Sequence, residues 1–487
     1  MEQVFVRDLV EATGGVLLFG NPDIAVSKIK LDSRQVEPGD LFVPIIGERV
    51  DGHKFLPQVI AAGAAVVLTS EHEAEDVERF LADRNAQKNG CEEDGRAILG
   101  ENAAKAAWIR VSDTKAALQD IGRHLRARLT LPLIGVTGSV GKTTTREMIA
   151  AALSAKYRVY KTPGNSNSQV GVPITISEIS QKDEVGVIEL GMSEPGELTV
   201  IAQIAKIDMA VITNIGITHI EQLGSRENIY KEKMTIQDGL KEDGVLILNG
   251  DDDMLCNTKG NDGVKTVYYG LGENCDFRAE NINLNDGAAK FTAVHGEKRL
   301  DVELGVMGQH NVMNALAAIA VCCQCGTTME EAARGLKTFN GFNGRQQIFS
   351  GERYTILDDS YNASPASMKA SLDVFKTLKP GMRHVAVLAD MKELGDKVME
   401  YHHEIGVHTA ETGVDLVVTL GEACHALAEG VKAVSDTPVA EFLKKEEMVA
   451  YLDENLKDGD CILFKGSNSM GLSAVAVHFV EKAGMNE

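Results

Sequence analysis

The chain has 487 residues, 44 % of them hydrophobic, and a formal net charge of −22 at pH 7. This length predicts about three domains, and so acidic a chain is poorly suited to binding nucleic acid through its phosphates. The first residues lack the basic stretch and long apolar run of a signal peptide, and no apolar run approaches the ~20 residues of a membrane span. We therefore expect a cytoplasmic monomer that acts on small molecules.

The first part of the chain, residues 1–112, is predicted to be a small mixed α/β unit. Over residues 1–70, apolar runs alternate with turns, as in DLFVPIIGE and GHKFLPQVIAAGAAVVLTS. Residues 71–102 are polar and rich in charge, which predicts an inserted helix and an exposed loop without an assigned function.

Two further parts follow, over residues 113–340 and 341–487. In the first, a helix over 113–128 precedes short apolar strands separated by helices, a pattern typical of a mostly parallel sheet. Residues 264–305 change to short alternating segments, which predict an antiparallel extension. The last part repeats the strand–helix rhythm and predicts a second open α/β sheet.

Residues 133–149, LIGVTGSVGKTTTREMI, predict a strand, a glycine-rich turn and a helix. Such a turn directs backbone N–H groups at phosphate oxygens, and the helix adds the positive end of its dipole. The standard spacing asks for a glycine where Val136 stands, but Gly138 and Gly141 still bracket the turn. We predict a nucleotide phosphate site, the alternative being a glycine-rich turn with a chance lysine.

Three side chains extend this prediction to Mg²⁺. Lys142 can reach the β- and γ-phosphates, and the hydroxyl of Thr143 can ligate the metal. Glu189 ends the next strand, at the sheet edge where parallel strands present ligands, and its carboxylate suits a second Mg²⁺ position. A helix cap or turn contact is the alternative for Glu189. The residues predicted to bind the nucleotide here are Thr137, Gly138, Ser139, Val140, Gly141, Lys142, Thr143 and Thr144.

The ordered motifs of the chain resemble those of the Mur ligases. They are VTGSVGKTTT, GNSNSQVGVPIT, VIELGMSEPGE, NIGITHIEQLGSRENIYKEK, LNGDD, GQHNVMNALAA, GFNGRQQI, DDSYNASPASM, VLADMKELG and LFKGSNSM. The resemblance covers nearly the whole chain apart from 71–102. It implies a UDP-sugar-binding domain, a central ATP-binding domain and a C-terminal Rossmann-like domain.

The resemblance also implies an activity. Members of this family are ATP-dependent amide ligases, and GNSNSQVGVP and DDSYNASPASM are similar to the branch that joins D-alanyl-D-alanine to UDP-N-acetylmuramoyl-tripeptide through an acyl phosphate. ATP and two Mg²⁺ ions are the implied cofactors. Phosphorylation gives the carboxylate a leaving group, and metal ions and lysine neutralise the two anionic reactants.

Catalytic and nucleotide roles follow from position in these motifs. Without the resemblance, an isolated histidine such as His219 is more often structural, and a lysine such as Lys233 is more often solvated. The resemblance implies instead that both residues are metal ligands together with Glu189. Lys233 matches a carbamylated lysine, whose carbamate is an anionic oxygen ligand. Arg345 matches a guanidinium presented to the phosphates. Asn311 and Asn314 resemble adenine contacts, and Asp359 matches a ribose or hinge carboxylate. The implied catalytic residues are Lys142, His219, Lys233 and Arg345.

Substrate contacts are implied in three places. Tyr361, Asn362 and Ser364 lie where this branch contacts D-alanyl-D-alanine, and Asn165 and Asn167 resemble residues near the muramoyl-peptide. Candidates on the uridine side are Ser33, Arg34, Asp51 and His53. Turn capping and surface pairing are the alternative roles of these four residues.

Two other interpretations stay open. The first is a Mur-like ligase for a different acid, of the folate or cyanophycin type, although LDSRQVEPGD and DGHKF argue against it. The second is a nucleotide-driven switch or binding module that hydrolyses ATP without forming an amide. For a ligase, ATP and the second peptide must meet between the central and C-terminal domains, so we expect an open and a closed state.

Overall fold

The computed structural model describes residues 4–47, 49–88, 105–284, 287–342 and 344–484, the side chains of 83–88 excepted. Its first sheet has the strand order β2-β7-β6-β5-β4, with only β2 antiparallel to its neighbour. The strands are β2 (Val16–Phe19), β4 (Ile29–Lys30), β5 (Leu41–Phe42), β6 (Val66–Thr69) and β7 (Ala107–Arg110). A separate antiparallel pair is formed by β1 (Val4–Phe5) and β3 (Ala25–Val26). The helices of this part are Val6–Thr13, Leu56–Ala61 and Ala74–Lys88.

The second sheet has nine strands in the order β16-β15-β14-β13-β12-β11-β8-β10-β9. They are β8 (Leu133–Thr137), β9 (Val159–Lys161), β10 (Val185–Glu189), β11 (Ile207–Ile212), β12 (Leu240–Asn249), β13 (Lys265–Gly270), β14 (Phe277–Asn283), β15 (Lys290–His295) and β16 (Lys298–Glu303). Its helices are Thr114–Ala127, Lys142–Leu153, Gly171–Glu178, Glu197–Ala205, Ile220–Leu223, Arg226–Met234, Gln309–Gln324 and Met329–Leu336.

The predicted antiparallel extension over 264–305 is wrong in its first part. β13 runs parallel to both β12 and β14, and antiparallel pairing begins only between β14 and β15. The connection from β12 to β13 is long enough to return the chain to the same edge of the sheet, as a parallel pair requires. Alternation along a strand predicts its faces but not its direction.

The third sheet has the order β17-β18-β22-β19-β20-β21, and only β17 is antiparallel to its neighbour. Its strands are β17 (Gln347–Ser350), β18 (Tyr354–Asp358), β19 (His384–Ala389), β20 (Leu416–Leu420), β21 (Val439–Phe442) and β22 (Asp460–Lys465). Its helices are Pro365–Phe375, Val398–Glu411, Cys424–Val434, Lys445–Asn455 and Leu472–Lys482. The predicted fold class, α/β with mostly parallel sheets, is confirmed.

Strand β8 lies between β11 and β10 in the second sheet, and all five of its residues are buried. An apolar strand buried on both faces is what a parallel sheet covered by helices requires. Val136 is paired with Glu189 of β10 on one side and with Val211 of β11 on the other. Val136 therefore belongs to the strand, and the phosphate turn begins only after Thr137.

Apolar contacts join the sheets. Met307 belongs to the apolar cluster of the third sheet that includes Met391 and Leu394, and Ile217 packs against this cluster. Because this contact lies beside the carboxyl ends of both sheets, it brings the ligand-binding edges of two α/β sheets face to face.

The remaining predictions about organisation concern the two domain boundaries, the polar segment 71–102 and membrane spans. The boundaries after 112 and 340 stay predictions, although each of the three parts holds one of the large sheets. Helix Ala74–Lys88 occupies the start of the polar segment 71–102, and residues 89–102 lie outside the described residues. Within the described ranges, no helix combines the length and apolar character that crossing a bilayer demands.

Candidate active site

The turn after β8 is tightly constrained. Gly138 has φ +149° and Gly141 has φ +86°, and a Cβ on Gly138 would lie 1.9 Å from Thr213 Oγ1. Both conformation and space therefore exclude a side chain at position 138. Helix Lys142–Leu153 starts directly after Gly141, so its first N–H groups have no partner within the helix. Together with the helix dipole, these amides form an anion site.

The loop after β11 holds the turn in place. The N–H of Ser139 donates to the carbonyl of Asn214 at 3.1 Å, and the N–H of Val140 donates to Asn214 Oδ1 at 3.0 Å. Thr213 Oγ1 and Asn214 Nδ2 both donate to the carbonyl of Val140. The first amides of the turn are thus used inside the protein, which leaves phosphate binding to those at the helix start.

Glu189 lies beside this helix start and is only 3 % exposed. Its Oε2 accepts a hydrogen bond from Thr143 Oγ1 at 2.8 Å and another from Arg146 Nη1 at 3.2 Å. Its Oε1 accepts from Asn167 Nδ2 at 2.8 Å. The carboxylate is therefore not a helix cap, because its partners are the proposed magnesium threonine and a residue of the GNSNS loop.

Arg146 is fully buried and compensates two carboxylates. Besides Glu189, it binds Glu147 Oε1 at 2.6 Å and the carbonyl of Gly164 at 3.0 Å. Glu147 in turn pairs with the half-exposed Lys161. Buried charges are tolerated only when they are paired, and this chain of charges supplies a charged partner for the buried carboxylate of Glu189 behind the phosphate turn.

Burial lowers the pKa of both lysines of the predicted catalytic set. Lys142 Nζ donates to the carbonyl of Gly138 at 2.9 Å, and burial lowers the pKa of its amine although Glu189 and Glu393 oppose this. Lys233, in helix Arg226–Met234, is 1 % exposed. Burial lowers the pKa of Lys233 well below its usual range, and the nearby charge of Lys142 lowers it further. The lowered pKa shifts the amine of Lys233 toward its neutral form, in comparison with the amine of a solvated lysine.

His219 lies at the start of helix Ile220–Leu223, in the loop that follows β11. Its Nδ1 lies 2.7 Å from Oε2 of Glu393, which belongs to the turn after β19 in the third sheet. The imidazole is mostly buried, with 17 % of its side chain exposed. This is a contact between two sheets that no sequence motif indicated.

The two asparagines of helix Gln309–Gln324 share one face, as predicted. Asn314 Nδ2 donates to Asn311 Oδ1 at 3.1 Å, and Asn314 Oδ1 accepts from Thr145 Oγ1 at 3.0 Å. Asn311 Nδ2 donates to the carbonyl of Met307 at 2.7 Å. This face is thus joined to the phosphate-turn helix, and it borders a cavity that lies between the second and third sheets.

The third sheet presents Arg345 to this cavity. The guanidinium carbon of Arg345 lies 4.2 Å from the ring centroid of Tyr361, and its Nε is buried without a hydrogen-bond partner among the described residues. Stacking on an aromatic ring holds a guanidinium while leaving its N–H groups for an anion. Arg345 is therefore positioned to receive phosphate oxygens.

Asp359 and Lys465 support Arg345 from behind. Asp359 Oδ2 binds Lys465 Nζ at 2.6 Å and also Ser371 Oγ, while its Oδ1 accepts from the N–H of Gln346 at 3.2 Å. Lys465 is 2 % exposed and also donates to the carbonyl of Asn362 at 3.1 Å. In this state Asp359 braces the residue next to Arg345.

A cavity of about 350 Å³ lies between the second and third sheets. The predicted residues that line it are Ser139, Val140, Gly141, Lys142, Thr143, Thr144, Glu189, Asn311, Asn314, Arg345, Asp359, Tyr361, Asn362 and Ser364. The predicted residues outside its lining are Thr137, Gly138, Asn165, Asn167, His219, Lys233, Ser33, Arg34, Asp51 and His53. Of the latter, Thr137 and Gly138 directly precede the lining residue Ser139, Asn167 donates to Glu189, His219 follows the lining residue Thr218, and Lys233 lies within electrostatic range of Lys142. Ser364 caps helix Pro365–Phe375.

The four uridine-side candidates lie in the first part of the chain, and their contacts stay within it. Arg34 is exposed and pairs with Asp32, and Ser33 starts the short helix that Asp32 caps. Asp51 Oδ1 accepts from both the N–H and Nδ1 of His53. Turn capping and surface pairing account for these contacts, but His53 is buried and its Nε2 also accepts from the N–H of Ser70 at 3.1 Å.

Several site residues escaped prediction: Arg146, Asn214, His310, Gln346, Glu393 and Lys465. His310 Nε2 lies 2.9 Å from Gln346 Oε1 across the boundary between the second and third parts. Lys465 did carry a signal, because a lysine at the end of the buried apolar strand CILFK requires a buried partner. The others depend on contacts between distant segments.

Fold and site together define a protein with a phosphate-binding loop whose nucleotide cavity is shared by two α/β sheets. Family models match three stretches of the chain: the Mur ligase middle domain at residues 136–322, the Mur ligase glutamate ligase domain at 344–468, and the Mur ligase family catalytic domain at 25–126. The chain belongs to the Mur ligase family.

Curated relatives cover almost the full chain. The UDP-N-acetylmuramoyl-tripeptide–D-alanyl-D-alanine ligase of Bacillus subtilis is 36 % identical over 98 % of both chains, and that of Escherichia coli is 31 % identical over 98 % of both. Crystal structure I of MurF from Acinetobacter baumannii has a TM-score of 0.84, with 29 % identity over 99 % of both chains. MurF from Thermotoga maritima in complex with ADP has a TM-score of 0.77, with 26 % identity over 95 % of this chain and 98 % of that one.

Proposed function

We propose that this protein is an ATP-dependent ligase that joins D-alanyl-D-alanine to UDP-N-acetylmuramoyl-tripeptide, a peptidoglycan precursor. The products are the UDP-linked pentapeptide, ADP and phosphate. Relatives with that name, aligned over 98 % of the chain, support it. The structural observation that carries it is one cavity with Thr143 and Glu189 on one wall and Arg345 on the other.

The chemistry proceeds in two displacements. A carboxylate oxygen of the tripeptide attacks the γ-phosphorus of ATP, the bond to the bridging oxygen breaks, and ADP leaves with those electrons. The amine of D-alanyl-D-alanine then attacks the carbonyl carbon of the acyl phosphate and loses a proton. The tetrahedral intermediate collapses to the amide as phosphate departs. ATP and the UDP-linked tripeptide are anionic, so cationic groups such as Arg345 lower the barrier by offsetting their charge.

The residues present fit Mg²⁺. Thr143 and Glu189 offer hard oxygen atoms 2.8 Å apart at the end of the phosphate turn. Asn167 and Arg146 orient the carboxylate without occupying all of its lone pairs. We propose His219 and Lys233 as further ligands at a second position. When bound, the metal neutralises charge on the phosphates.

The carbamate of Lys233 is part of this proposal. A neutral lysine amine attacks the carbon of CO₂ and releases a proton, which leaves an anionic oxygen donor on a residue that was cationic. Burial and the lowered pKa of Lys233 support this chemistry, because they shift the amine toward its neutral form.

The remaining assignments are proposals of the same kind. Three domains, at 1–112, 113–340 and 341–487, would bind the UDP-sugar, ATP and the second peptide. Asn311 and Asn314 serve the base, and Tyr361, Asn362 and Ser364 serve D-alanyl-D-alanine. We also propose that the protein acts as a monomer, and a reaction that uses ATP favours the cytoplasm.

One assay tests the activity. The protein is incubated with ATP, UDP-N-acetylmuramoyl-tripeptide and D-alanyl-D-alanine, and the product is weighed by mass spectrometry, with omission of each substrate as control. We expect the mass of the pentapeptide only when all three are present. ATP hydrolysis that neither peptide changes, with no adduct, would contradict the proposal and favour a nucleotide-driven switch.

A further inference from the structure

Glu393 meets His219 across the boundary between the second and third sheets. His219 follows β11, whereas Glu393 follows β19, and Nδ1 lies 2.7 Å from Oε2 without the alignment of a linear hydrogen bond. Catalytic contacts are commonly misaligned before ligands bind and tighten afterwards. The two side chains are thus close enough to interact, and the angle of their contact can still improve when ligands bind.

The backbone is strained on both sides of this pair. His219 has φ +64° and Glu393 has φ +63°, a left-handed backbone conformation that residues other than glycine rarely adopt. Strain of this kind persists only where the surrounding structure imposes it, and it concentrates at functional sites. Here it holds two facing residues, one on each sheet.

The surroundings fix the approach of the two turns. Ile217 packs against the apolar cluster that includes Met391 and Leu394, so apolar packing between the two sheets accompanies the polar pair. Glu393 is also near the phosphate turn, since the contact with His219 and the charge of Lys142 both lower the pKa of its carboxyl. The carboxylate of Glu393 therefore faces His219 and lies within electrostatic range of the phosphate-turn lysine.

The pairing leaves one ring nitrogen of His219 for a metal. Nδ1 faces Glu393, and within the described ranges no group hydrogen-bonds Nε2. Histidine ligands usually have their other nitrogen held by a carboxylate, which sets the tautomer and the orientation of the ring. The arrangement around His219 has this form, with the carboxylate supplied by a different sheet.

We propose that Glu393 is a positioning residue that orients His219 toward a bound metal ion and couples metal binding to docking of the third sheet. This rests on the proposed function, in which His219 is a metal ligand. Because coupling between two equilibria is reciprocal, metal binding strengthens docking to the same degree as docking strengthens metal binding.

The test measures Mn²⁺, as a probe for Mg²⁺, by electron paramagnetic resonance in the presence of a non-hydrolysable ATP analogue. We compare the wild type with E393Q, H219A and D396N. Asp396 is exposed in the same turn and serves as the matched control for loss of charge. We expect E393Q to weaken the second Mn²⁺ site by about 10- to 100-fold, H219A to abolish it, and D396N to leave it unchanged.

X-ray scattering supplies the second readout, the Mn²⁺ concentration at which the protein becomes compact. E393Q should raise it by the same factor as its loss of affinity, and D396N should not. If H219A loses the site while E393Q binds like the wild type, the role of Glu393 is overturned and the metal site stands. If H219A binds like the wild type, the proposed metal site itself is wrong. A weakened site with unchanged compaction would overturn the coupling.

Discussion

Arg146 shows how one buried side chain supports the site without touching the cavity. It is fully buried and binds Glu189 and Glu147, so its removal leaves Glu189 without a charged partner and Glu147 with only the half-exposed Lys161. We expect Arg146→Leu to destabilise this region by about 3–5 kcal/mol. Hydrogen exchange of peptides from β8 and β10 would measure the fall in opening free energy.

Lys161 provides the control for that prediction. Its side chain is 48 % exposed at the outer end of the same charge chain, so Lys161→Leu should cost less than ~1 kcal/mol. If the two substitutions lowered the stability of this region equally, the burial of Arg146 would add nothing to the stability that an exposed ion pair provides.

Lys233 carries the second prediction at this scale. Lys233→Ala should lose most ligase activity, because it removes the carbamate oxygens, and short-chain carboxylic acids should restore part of it. In the wild type, ¹³C-labelled bicarbonate should give a carbamate carbon signal in NMR. Since the pKa of Lys233 is lowered, the neutral amine and this signal should persist to lower pH than for an ordinary lysine. Full activity of Lys233→Ala would exclude the carbamate.

At the scale of the element, the phosphate turn depends on the packing of β8 against β11. Val136 sits inside β8, and Gly138 is where the chain leaves the sheet against Thr213. Gly138→Ala would force the new methyl group into Thr213 and impose an unfavourable φ. We expect nucleotide binding to fall by more than ~10-fold, a loss measurable by calorimetric titration with ATP.

Gly263→Ala is the matched variant. Gly263 also has a positive φ of +86°, but its Cβ would meet no atom within 4 Å. It therefore reports conformational strain alone, which costs about 1 kcal/mol, and ATP affinity should be unchanged. A Gly138→Ala variant that bound ATP like Gly263→Ala would remove the turn from the nucleotide site.

At the scale of the whole molecule, the cavity is built from two sheets, so its ligands favour the state in which they are docked. We expect the ATP analogue, UDP-N-acetylmuramoyl-tripeptide and D-alanyl-D-alanine together to decrease the radius of gyration in X-ray scattering. The nucleotide alone contacts fewer groups of the third sheet and should give a smaller decrease. Identical profiles with and without all ligands would contradict domain closure.

Much of this could be predicted from the sequence, because the information is local. The spacing of Gly138, Gly141 and Lys142 predicted the phosphate turn, and the strand ending at Glu189 predicted a carboxylate beside it. The direction of β13 could not be predicted, because the pattern of a strand is the same in either direction. The burial of Lys233 and the partner of His219 depend on segments far apart in the chain. No local pattern encodes them.

The order in which the cavity walls are synthesised has a consequence for the growing polypeptide. The walls run from Ser139 to Lys465 along the chain. At about 5–20 residues per second on a ribosome, the phosphate turn emerges on the order of tens of seconds before its last partner. A nascent chain that has already folded its second sheet still lacks Arg345. Lys465, which braces Asp359, is synthesised later still. A chain that ends before Lys465 therefore lacks part of the cavity wall.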